Sequence, residues 1–135
     1  MVHDSQAASE YDECLLKARY YGSARKPLEL IETLRFSPRD GFVRLDNHLA
    51  RMARSAATFS IPFDPAPAMT AMRQAVSGST NDQRVRLGLA EDGSFSCKAV
   101  PLPPLGATSW RYAISTVETQ SRDLLLRHKT SWRSL

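Results

Sequence analysis

Apolar and polar positions alternate most regularly between Arg84 and Leu89, where Val85, Leu87 and Leu89 are interleaved with Arg84, Arg86 and Gly88. That is the period-2 pattern of a strand buried on one face and lined with arginine on the other. Upstream, LELIETLRF (28–36) brings Leu28, Leu30 and the β-branched Ile31 and Thr33, and reads as a second strand. The SPRDG that follows is a tight turn into FVRL, which together make a hairpin signal. The period then changes. Leu45, Leu49, Met52, Ala56 and Phe59 recur at helical spacing, Asp46 is the expected N-cap, and Pro62 forbids continuation. A weaker helix is expected over Ala66–Val76, after which GSTND returns the chain to the sheet. EDGS is a hairpin turn into FSCKAVPL, and a Pro-rich connection leads to a further expected strand, WRYAIST (110–116). At the other end, SEYDECLLKARYY (9–21) reads as a short helix capped by Ser9, with Glu10 and Asp12 where the dipole favours acids and Gly22 ending it.

No internal repeat or low-complexity tract interrupts this order, so the expected fold is a single α+β unit: a mainly antiparallel sheet with two or three helices. At 135 residues and 42% apolar content the chain has material for one real core. It contains no run of about 18 apolar residues, and Met1 to Glu10 are polar and acidic where a signal peptide would be basic and then apolar. A cytoplasmic protein without membrane association is therefore expected. Cys14 and Cys97 lie far apart with no CxxC or histidine spacing, so neither a metal site nor a disulfide framework is suggested. The net charge of +4 comes from cations dispersed between Lys17 and Arg133, without a basic run or an aromatic-interleaved stripe. That argues against a nucleic-acid partner and leaves an anionic small molecule open.

Two places could carry chemistry. His48 and Arg51 are three apart on the 45–59 helix and hence neighbours on its surface, though spacing alone is equally that of a solvated polar face. Lys129 follows the apolar run in LLLRH, and a desolvated lysine tends toward the neutral amine that nucleophilic chemistry on carbonyls needs.

Four stretches, EYDECLLKARYY, LELIETLRFSPRDGFVRLDNHLARMARSAATFSIPFD, RVRLGLAEDGSF and DLLLRHKT, resemble the class IV (fold type IV) pyridoxal-phosphate enzymes in order and spacing. These are the class IV aminotransferases and the 4-amino-4-deoxychorismate lyases. The first stretch resembles the joint at which such a lyase is fused behind an aminodeoxychorismate synthase component. The resemblance implies the small N-terminal domain of the D-amino-acid-aminotransferase-like fold over 23–120, a helical linker over 1–22, and the start of a truncated large domain over 121–135. By the same resemblance Lys129 of HKT is the lysine that carries pyridoxal phosphate, and Arg51 is the arginine that grips its phosphate. His48 shapes that wall, Thr33 faces the cofactor with a hydroxyl for proton transfer, and Arg86 holds a substrate carboxylate. The implied activity is elimination of pyruvate to leave 4-aminobenzoate for folate synthesis, or amino transfer, on a small amino substrate. The family's enzymes continue into a second domain that supplies the acid for the pyridine nitrogen and further phosphate-binding loops, so weak retention of the cofactor by this chain is expected. A homodimer is expected too, the alternative being a non-catalytic remnant that serves as a dimerisation module.

Overall fold

The computed structural model describes residues 10–14, 27–104, 106 and 109–132. Its frame is a four-stranded antiparallel sheet in the order β2-β1-β3-β4, formed by β1 (Glu29–Ser37), β2 (Gly41–Phe42), β3 (Gln83–Ala90) and β4 (Phe95–Pro101). Between β2 and β3 the chain forms α1 (Leu45–Thr58) and α2 (Pro65–Val76). A short 3-10 helix, Leu124–Arg127, follows later. The α+β architecture expected from the pattern is the one observed.

Alternation explains the sheet. Leu28, just before β1, and Leu30 and Leu34 within it are buried, as are Val85, Leu87 and Leu89 of β3; across the ladder Leu30 pairs with Leu89 and Leu34 with Val85. Both helices lie on this face. Met52 and Ala56 of α1 and Ala68, Met72 and Val76 of α2 complete the core, with Leu45, Leu49 and Phe59 packed half-buried against it. Replacing water by this apolar contact is the main stabilising contribution. The other face carries Thr33, Arg35, Arg84, Arg86 and Lys98.

Turn chemistry sets the connections. The β3–β4 hairpin closes through Ala90 N donating to Ser94 O at 2.9 Å, with Gly93 at φ 85°. A side chain on Gly93 would be strained by that φ, and its Cβ would meet Pro62 at 3.0 Å. Asp64 caps α2 by accepting from Ala66 N, with Pro65 at the first helical position, where its missing N–H costs nothing.

Three expectations need correction. Asp46 is not the N-cap of α1: the helix starts two residues earlier because Arg44, the N-cap, turns the chain out of β2 in the left-handed conformation (φ 54°), which leaves Asp46 inside the first turn. Of the segment FVRL only Phe42 belongs to β2, since the same turn diverts the rest. Residues 110–116 form no strand; Trp110, Tyr112 and Ile114 are 86%, 93% and 90% exposed. Alternation marks an apolar side but supplies no neighbour for the N–H and C=O groups. After Leu102 N donates to Asp82 O, Pro103 and Pro104 offer no donors, and the chain leaves the edge of β4. Of the expected N-terminal helix, residues 10–14 are helical; the rest of 9–21 and its flanks Ser9 and Gly22 lie outside the described residues. Among the described residues no helix is long and apolar enough to cross a membrane.

Candidate active site

One acidic residue breaks the apolar row of β1. Glu32 lies between Leu30 and Leu34 on the core face and is 1% exposed. A carboxylate stripped of water this way is costly unless charged donors reach it. Here α1 supplies them. Arg51 Nε donates to Glu32 Oε1 at 2.6 Å while Arg51 Nη2 donates to Oε2, and His48 Nδ1 lies 2.7 Å from Oε2. Burial alone would raise the pKa of Glu32, but the hydrogen bonds and charges of Arg51 and His48 outweigh it and hold the carboxyl below its ordinary value. The hydrogen bond to Glu32 likewise raises the pKa of Arg51 above its ordinary value. His48 and Arg51 are therefore joined as the sequence suggests, through an acid that the sequence reading did not single out.

Lys129 reaches the same strand from the far end of the chain. Ile31 N donates to Lys129 O at 2.8 Å, Ser131 N donates to Glu29 O at 2.8 Å, and Leu30 and Thr130 form an antiparallel bridge. Thr130 consequently shares the core face of Leu30 and is 2% exposed, whereas Lys129, opposite Ile31, falls on the other face and is half-buried. That other face also bears Thr33, which lies between the two stretches of β1 paired along this edge: Glu29–Ile31 with the Lys129 segment, and Phe36–Ser37 with β2.

Arg86 is the cross-strand partner of Thr33. Its Nη2 donates to Glu29 Oε2 at 2.7 Å, and Ser96 Oγ donates to Glu29 Oε1 at 3.2 Å. Gly88 makes room for this carboxylate, since a Cβ there would come within 1.9 Å of Glu29 Oε1. The five residues singled out from sequence thus fall into two groups flanking β1: Arg51 and His48 with Glu32 on the helix side, and Lys129, Thr33 and Arg86 on the opposite face.

Taken singly, Arg51 could hold a phosphate and Lys129 could meet an aldehyde. Glu32 fixes Arg51 through Nε and Nη2, and the side chain remains 47% exposed, so an oriented guanidinium still has N–H donors for a dianion. Lys129 supplies a tethered amine. Among the described residues no group of three or more His, Cys, Asp or Glu is placed to hold a metal ion.

The family model for amino-transferase class IV matches residues 29–133. A crystal structure from Mesorhizobium loti, provisionally assigned as an amino-acid aminotransferase, is similar with a TM-score of 0.73 and 38% identity, over 77% of this chain. This chain spans 51% of that one, about half its length. Comparison with curated proteins gives no match.

Proposed function

The chain belongs to the class IV aminotransferase family, and on that premise we propose that it holds pyridoxal phosphate between Arg51 and Lys129 and acts on a small amino substrate, as a 4-amino-4-deoxychorismate lyase. Pyruvate would be eliminated and 4-aminobenzoate left. The observation that carries the reading is the buried Glu32, which orients a half-exposed Arg51 beside the strand edge to which the Lys129 segment is tied.

Bound, the cofactor supplies an electron sink that stabilises negative charge on the reacting carbon. The remaining roles belong to the chain. Arg51 holds the phosphate as a planar, permanently charged fork whose direction Glu32 and His48 set. Lys129 anchors the cofactor and moves the α proton. The Thr33 hydroxyl, on the face shared with Lys129, passes a proton to the leaving fragment. Arg86 receives a substrate carboxylate, exchanging Glu29 for it.

A second reading, amino transfer, is favoured by the provisional assignment of the similar Mesorhizobium loti structure. The two differ in whether a carbon–oxygen bond of the substrate breaks once its α proton has been removed. Incubating the native polypeptide and pyridoxal phosphate with 4-amino-4-deoxychorismate should release pyruvate and 4-aminobenzoate in equal amounts. Amino transfer from an amino acid to a 2-oxo acid, with no release from the lyase substrate, would establish the second reading instead.

A further inference from the structure

Immediately before Lys129, His128 turns back onto α1. Its Nδ1 lies 2.9 Å from Ser55 Oγ, and its ring meets that of Phe59 edge-on with centroids 5.1 Å apart. Ser55 is buried and follows Arg51 by four residues; Phe59 follows Ser55 by four more. Residues at this spacing form one row along a helix, so His128 contacts the row that carries Arg51. Immediately after Lys129 the chain is tied to β1 instead, by the Ile31 and Ser131 amides and by Glu29 N donating to Ser131 Oγ at 2.9 Å. The lysine is thus held from two sides by two elements, α1 through His128 and β1 through the residues around it. Burial, and then the charge of Arg127, lower the pKa of His128, so its ring is neutral near pH 7 and offers one donor and one acceptor nitrogen for the serine hydroxyl.

We propose that His128 and Ser55 are a positioning pair that sets the span between Lys129 and Arg51, and so matches the site to an aldehyde carrying a phosphate at one fixed distance. The inference rests on the cofactor reading given above. Neither residue touches the cofactor in it; both act through their neighbours, which separates positioning from ordinary packing. If the span is set by this contact, loosening it should penalise a ligand that must be held at both ends more than one held at Lys129 alone.

The test compares pyridoxal phosphate with pyridoxal, which lacks the phosphate, on the native polypeptide and its S55A, H128A and double variants. The wild type should favour the phosphate ester, and each single variant should lose about tenfold of that preference while still taking up pyridoxal. The double variant should lose no more than either single one. Without any ligand, the Ile31 and Ser131 amides should exchange with deuterium faster in both variants while the Val85 amide in β3 keeps its protection. H128Q, which retains a donor and an acceptor, should restore part of the preference. Equal weakening for both aldehydes, or an unchanged preference, would overturn the positioning role while leaving the cofactor reading in place. A wild type that takes up neither aldehyde would overturn both.

Discussion

Arg51 holds Glu32 through two of its nitrogens, Nε at 2.6 Å and Nη2, across the boundary between α1 and the core face of β1. The two partners are unequal: the carboxylate is buried and the guanidinium half-exposed. Removing one should therefore not cost the same as removing the other. Arg51→Ala leaves a buried carboxylate with only His48 and should cost about 3–5 kcal/mol. Glu32→Gln leaves Arg51 free to find water and should cost about 1.5–3 kcal/mol. Denaturant titration of the two variants gives the order directly, and a larger loss for Glu32→Gln would contradict the burial of the acid.

The same pair predicts an acid dependence. Because folding lowers the pKa of Glu32, the folded state binds fewer protons there than the unfolded one. Its contribution to stability is complete above the ordinary carboxylate value of about 4.3 and disappears as pH falls through the lower folded value. Unfolding midpoints measured from neutral pH into that acid range should fall for the wild type, and fall less for Glu32→Gln, which has no proton to bind at that position.

How much of this was legible in the sequence differs from element to element. The strands of β1 and β3 and the helix α1 were readable because one face of each is buried, and burial writes its period into the residues. The segment 110–116 carries the same period and forms no strand, because alternation says nothing about a hydrogen-bonding neighbour. His48 and Arg51 were visible as a pair on the helix. Glu32 was legible in principle: an acid at the third position of the apolar row Leu28, Leu30, Glu32, Leu34 must be buried if the row is, and a buried acid needs cations. The contacts of Glu29 with Arg86 and of Ser55 with His128 join residues 57 and 73 positions apart, and no local pattern announces such a meeting.

Gly88 should report on Arg86. Its Cβ would displace the Glu29 carboxylate, which is the end of a flexible side chain and can swing away. Gly88→Ala should therefore fold with stability within about 1 kcal/mol of the wild type, the value of an exposed ion pair. It should cost less in a Glu29→Ala background, where only the Ser96 hydroxyl, 2.7 Å from the added Cβ, has to turn away. A double-mutant cycle by thermal unfolding checks this; strict additivity would mean that Gly88 and Glu29 are not coupled.

Association is expected from the exposed Trp110, Tyr112 and Ile114. Large apolar side chains in water tend to be covered, and a second copy offers the same surface in return. Light scattering of the 135-residue chain should give at least twice its 15.1 kDa mass. A mass that stays at 15.1 kDa up to high concentration would rule the homodimer out.

Borohydride reduction followed by peptide mapping tests whether Lys129 is the residue that carries pyridoxal phosphate. In the native polypeptide the reduced label should be found on Lys129. Lys129→Ala should abolish it, and Arg51→Ala should weaken uptake by about 1.5–3 kcal/mol, a lost charged hydrogen bond, without moving it. A label on Lys17, Lys26 or Lys98, with Lys129 unmodified, would contradict the assignment.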